Sequence, residues 1–74
     1  LFGRGGDELP QYEVTANLLN VRSGPGTEFA AVMPPIPRGT HLRLHEMQAY
    51  WAKVKLTEGT RQEGWVNNTF IRPV

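Results

Sequence analysis

The side chains of this sequence that could carry chemistry are few. They are two histidines, a serine in a glycine-proline turn, two spaced glycines, a glycosylation-type tripeptide and a small aromatic set. His41 and His45 stand at i, i+4, which on a helix is the spacing of a zinc pair; on a strand they lie about 13 Å apart and cannot share an ion. No Glu follows His41 directly and no third ligand accompanies the pair, so both read as exposed strand histidines and no metal is expected. Ser23 would need a neighbouring base and an orienting acid to act as a nucleophile, and its Gly-Pro-Gly surroundings suit a turn better than hydrolysis. Gly24 and Gly26 are separated as in phosphate loops, but the third glycine, the lysine and the following helix are missing. They are expected to supply positive φ in a turn. Arg4-Gly5-Gly6 is a single RGG-like tripeptide, and one copy is no RNA-binding segment. Asn67-Asn68-Thr69 fits the N-glycosylation pattern, which is common by chance, and the PxxP spacing of Pro34 and Pro37 serves to stiffen a crossing loop.

The aromatic residues are more informative. In Trp51-Ala52-Lys53-Val54-Lys55-Leu56, alternation puts Trp51 with Lys53 and Lys55, opposite Ala52, Val54 and Leu56. A large ring on the solvent side, beside polar groups, marks a binding surface unless a loop partly covers it. The elements that must position it follow the same period of two from Tyr12 onward. Leu42 and Leu44 alternate with Arg43 and His45, so Leu42, Leu44, Val54 and Leu56 share one face of half-buried strands. Dense punctuation separates the runs: Ser23-Gly24-Pro25-Gly26, Pro34 to Gly39, Glu58-Gly59 and Glu63-Gly64. Short strands at this turn spacing describe an all-β meander curled into a small barrel or a pair of orthogonal sheets, with no internal repeat.

Composition bounds the rest. A chain of 74 residues and 8.3 kDa, with 39% hydrophobic and 20% charged residues, is one small domain without room for a large enzyme fold. Zero cysteines exclude disulfides, thiolate metal sites and thiol catalysis. Eight basic against seven acidic side chains give +1, too weak a field to argue for nucleic acid, and the apolar runs are too short for membrane insertion. Residues 1–11 hold three glycines, a proline and mixed charges, and are expected to be a linker or flexible arm ahead of a domain at 12–74. Arg4 against Asp7, Glu8 and Glu13 leaves residues 1–13 at net −2, while seven basic and four acidic groups leave 14–74 at net +3. Starting at Leu1, without an initiator Met or a signal-peptide pattern, the sequence reads as a fragment of a longer or processed protein.

The run Ala16-Asn17-Leu18-Leu19-Asn20-Val21-Arg22-Ser23-Gly24-Pro25-Gly26-Thr27, followed by Phe29, resembles the signature of bacterial SH3-like domains. Arg38-Gly39-Thr40, Trp51-Ala52-Lys53-Val54, Gly64-Trp65-Val66 and Phe70-Ile71 are similar to that family's later segments, in its order, so the resemblance covers about Thr15 to Arg72. It implies a small SH3-like barrel of short antiparallel strands with one 3-10 turn near the C-terminus, at Asn67-Asn68-Thr69. A strand from Leu19 to Arg22 would turn Val21 inward and Asn20 and Arg22 outward. The chain departs from the family at Met33 to Pro37, usually one residue shorter and holding a glycine, and at Tyr50, often glycine. What the resemblance implies is a non-catalytic recognition module of an envelope protein in the periplasm, at the wall or secreted, with no cofactor. Its partner would be peptidoglycan or a cell-wall peptide, through a groove at Asn20, Arg22, Glu28, Phe29, Trp51, Asn67 and Phe70. Trp65 should point outward unless a loop covers it. The alternatives are a spacer that docks on a neighbouring domain of the parent protein, such as a hydrolase, and a nucleic-acid-binding barrel, which the charge supports poorly. Catalysis by this chain alone is not expected.

Overall fold

A computed structural model describes residues 9–74. Seven short strands follow one another there: β1 Gln11–Val14, β2 Leu18–Leu19, β3 Ile36–Pro37, β4 His41–Gln48, β5 Trp51–Leu56, β6 Glu63–Asn67 and β7 Ile71–Pro73. A 3-10 turn, Asn68–Phe70, joins the last two. One antiparallel sheet runs in the order β6-β5-β4-β1-β7, and β2 and β3 form a second, two-stranded ladder. The expected all-β barrel of short antiparallel strands is the architecture observed. The turn lies one residue later than expected, because Asn67 caps it: its side-chain Oδ1 accepts the Thr69 N–H at 2.9 Å.

The period of two in β5 organises the sheet. Ala52, Val54 and Leu56 are buried, while Trp51, Lys53 and Lys55 are half-buried on the other face. Register carries this parity into the neighbours, with Leu56 opposite Leu42, Val54 opposite Leu44 and Gly64, and Ala52 opposite Val66. Val14, Leu19, Val21, Ile36 and Ile71 complete the core from the other strands and the segment after β2. At His45 the β4 register slips by one residue, so that Leu44 faces Val54 while Glu46 faces Lys53. Such a bulge bends its strand and steepens its twist, which helps five strands curl around so few side chains. Leu44, next to the bend, is half-buried rather than buried.

The expected strand from Leu19 to Arg22 is broken. Leu19 pairs with Ile36, whereas Arg22 exchanges two 2.8 Å backbone hydrogen bonds with Trp65. The chain changes partners between these residues, so no continuous ladder can include both. Val21 at the crossover points inward as expected and is fully buried. Its side chain fills the space over Gly64, where an added Cβ would stand 2.5 Å from Val21 Cγ1 and 3.0 Å from the Arg22 carbonyl.

Ahead of β1, the Pro10 carbonyl accepts the Leu44 N–H at 2.9 Å and the Leu9 carbonyl accepts from Arg43 Nη1 at 3.0 Å. The Arg4-Gly5-Gly6 tripeptide and the remainder of the expected arm through Glu8 lie outside the described residues. At the outer face, Glu13 of β1 accepts from Arg72 Nε of β7 at 2.6 Å. His41 sits 3.2 Å from Gln11 Nε2 through Nδ1 and 3.7 Å from Glu13 through Nε2. His45 occupies the bulge.

Two substitutions measure this packing in opposite senses. Val54→Ala removes fully buried methyl groups and is expected to cost about 1–3 kcal/mol. Gly64→Ala drives a methyl group into Val21 and is expected to cost a similar amount, about 1–3 kcal/mol, by overpacking. Urea denaturation of both variants checks this, and a neutral Gly64→Ala would place the barrel's closure elsewhere.

Candidate functional site

Outward parity at the end of the β5–β6 pair brings two side chains together. Trp51, the first residue of β5, lies directly opposite Asn67, the last of β6. Because the Oδ1 of Asn67 is engaged by the Thr69 N–H, its amide N–H groups remain to donate to a ligand. The turn that Asn67 caps ends at Phe70, which remains 42% exposed. Across from these stands the segment around β2, whose adjacent leucines divide: Leu19 is buried in the core and Leu18 is exposed.

Between these walls lies an open groove of about 380 Å³. Trp51, Phe70, Leu18, Leu19 and Ala16 give it apolar surface, and Asn20, Asn67, Thr27 and Arg22 give it polar groups. Among the described residues, no acidic side chain lines it and Arg22 is its one charged group. Arg22 also builds the wall. Its Nη1 donates to the carbonyls of Phe29 at 3.0 Å and Thr27 at 3.3 Å, clasping the loop 23–29. The guanidinium fork leaves further N–H groups available.

The loop itself departs from expectation. Neither Gly24 nor Gly26 adopts a left-handed φ; among the described glycines only Gly39 and Gly59 do. Close approach is what favours glycine at Gly24, whereas at Gly26 the neighbour is the movable end of the exposed Glu28 side chain. A Cβ on Gly24 would stand 2.6 Å from the Phe29 ring, and one on Gly26 would stand 2.4 Å from the Glu28 carboxylate. Folded onto the loop in this way, Phe29 and Glu28 do not line the groove, unlike the other five expected contacts Asn20, Arg22, Trp51, Asn67 and Phe70. Thr27 lines it from the loop 24–29, and Ala16, Leu18 and Leu19 line it beyond the expected set. The signal for Leu18 was present, since strand alternation sends one of two adjacent leucines outward.

Trp65 is half-buried on the outer face, where register sets Arg22 on one side of it and Lys53 on the other. Long cationic side chains cover apolar surface with their stems, and two such residues flank Trp65 in register. A second fixture supports the Trp51 end. The Asn68 side chain donates to the Ala49 carbonyl at 3.0 Å and to Met47 Sδ at 3.3 Å, and its backbone N–H donates to the Tyr50 carbonyl at 2.8 Å. These bonds hold the two-residue turn between β4 and β5, in which Ala49 has a φ of +55°.

A family model described as Bacterial SH3 domain matches residues 17–72. Comparison with curated proteins gives no match.

The turn offers a paired test. Ala49→Gly relieves a left-handed φ and is expected to raise stability by about 1 kcal/mol, whereas Asn68→Ala strips hydrogen bonds from that turn and is expected to lower it by about 1 kcal/mol. Thermal unfolding of the two variants distinguishes them by the sign of the shift, and an Asn68→Ala protein as stable as the parent removes Asn68 from this role.

Proposed function

The chain belongs to the bacterial SH3 domain family, whose members are binding modules often carried by cell-wall proteins and not catalytic by themselves, and we propose that it recognises the peptide stems of peptidoglycan. The observation that supports this reading is the groove: aromatic platforms at Trp51 and Phe70, amide donors at Asn20 and Asn67, one arginine and no acid. A short peptide with apolar side chains and a free carboxylate is complementary to that set. Its methyl groups pack on the rings, its carbonyls accept from the amides, and its carboxylate takes the N–H groups that Arg22 does not spend on the loop. A basic ligand finds no counter-charge among these side chains. The reading places the chain at the wall, in the periplasm or outside the cell, as a targeting module for a larger protein.

The groove is shallow and open, so affinity is modest. An exposed ion pair contributes about 0–1 kcal/mol, which leaves aromatic packing as the main source and a Kd of about millimolar for the isolated domain. Tethering to a larger protein raises the effective concentration enough for such affinity to serve.

Titration of isotope-labelled protein with soluble muropeptides, followed by amide shifts, tests the proposal. Shifts are expected at Asn20 to Thr27, Trp51 and Asn67 to Phe70, and Trp51→Ala is expected to abolish them while costing less stability than Val54→Ala. Silence at millimolar muropeptide, with clear shifts on adding the neighbouring domain of the parent protein, transfers the function to intramolecular docking.

A further inference from the structure

Arg22 is held at both ends. Its backbone exchanges two 2.8 Å hydrogen bonds with Trp65, and its guanidinium Nη1 donates to the carbonyls of Phe29 at 3.0 Å and Thr27 at 3.3 Å. Both Nη1 hydrogens are thereby committed to the loop 23–29. What remains is the side of the guanidinium where Nε–H and Nη2–H lie parallel, and neither has a hydrogen-bond partner among the described residues. Two parallel N–H groups at that spacing match the two oxygens of one carboxylate. The rest of the groove leans the same way. Asn67 has its Oδ1 engaged by Thr69 and offers only N–H groups, and among the described residues no acidic side chain lines the groove. At about 380 Å³ the groove is near the small end of the range for ligand pockets, so it holds a few small residues rather than a length of strand. A carboxylate at the fork and methyl groups on Trp51 and Phe70 must then be near neighbours in the ligand.

Resting on the reading that the groove takes peptide stems, we propose that Arg22 recognises the C-terminal carboxylate of the stem, which makes the domain a reader of open stem ends. A main-chain carboxylate fills the fork with both oxygens while the last carbonyls stay within the groove for Asn20 and Asn67. A carboxamide in the same place carries no charge and sets its own N–H groups against one N–H of the fork. An exposed ion pair usually loses most of its benefit to the ordering of a long side chain, and here the loop carbonyls have already ordered it. The consequence is a place in a reaction sequence. Hydrolysis of an amide that joins two stems adds water, releases an amine and supplies the carboxylate that the fork takes. Acyl transfer that turns that carboxyl into an inter-stem amide consumes it. The domain therefore gathers where stems are open and leaves where they are joined.

The probe pair is a soluble muropeptide and the same molecule with its C-terminal carboxylate converted to a carboxamide, each titrated into isotope-labelled protein. The carboxylate form is expected to bind about fivefold more tightly, the upper end of what an exposed pair gives. It is also expected to shift the Arg22 Nε–H resonance, which the carboxamide leaves in place. That resonance reports contact at the fork itself, which the role of Nη1 in holding the loop does not move. Arg22→Gln, its fold checked by circular dichroism, is expected to bind both forms equally. Equal affinity of the parent protein for the two forms overturns the inference and leaves the peptide reading standing. So does a fivefold preference that survives Arg22→Gln, or an Nε–H resonance that moves equally with both forms. Binding of neither form removes the peptide reading and this inference with it. Should Arg22→Gln fail to fold, the affinity ratio and the Nε–H shift of the parent protein decide alone.

Discussion

Closure of this barrel rests on one close approach, the side chain of Val21 over the bare Cα of Gly64. Among the described residues the core is ten small and medium apolar side chains, with no disulfide, which leaves little packing energy to spare, so the sheet must bring its edges together without a gap. With Val21 seated there, Arg22 pairs with Trp65 through two backbone hydrogen bonds and the wandering segment after β2 becomes part of the sheet. That same step delivers the Arg22 guanidinium to the carbonyls of Thr27 and Phe29, which shapes the loop and with it one wall of the groove. A fold contact and a site wall are consecutive residues.

The opposite wall is built by different means. Trp51 and Asn67 face one another because they occupy outward positions at the end of a ladder whose inward positions are committed to the core. The 3-10 turn then redirects the chain, and Asn68 ties that turn to the hairpin carrying Trp51. Groove geometry is thus held by backbone pairing and side-chain-to-backbone hydrogen bonds rather than by contacts among the groove's own exposed residues. On the proposed reading, the groove's exposed rings and the amide N–H groups of Asn67 are then available to a ligand without rearrangement.

The groove and the apolar segment 29–33 divide the surface by chemistry. The groove mixes rings with amide donors and one cation, a combination that orients a small polar ligand. The segment 29–33 carries no charged side chain and turns the N–H and C=O of Ala31 away from the sheet. Arg22 joins them, bonded through its backbone toward the core sheet and through its side chain to the loop between the two surfaces.

Period-two alternation in β4 and β5, read with the glycine and proline punctuation, was enough to establish an all-β fold and the inward set Leu42, Val54 and Leu56. The pattern is local, and each strand's parity follows from its own residues. Of the nine residues that line the groove, the SH3-like resemblance pointed to Asn20, Arg22, Trp51, Asn67 and Phe70 and, through the loop 24–29, to Thr27. Tertiary structure alone decided the rest. The break after Leu19 arises because successive residues pair with different strands, which no local pattern encodes. Gly24 is explained by the Phe29 ring lying against it rather than by turn dihedrals, and Phe29 and Glu28, folded back on the loop, do not line the groove. The bulge at His45 and the outward-facing backbone of Ala31 likewise depend on which strand ends up alongside, and a chain acquires those neighbours only when it closes.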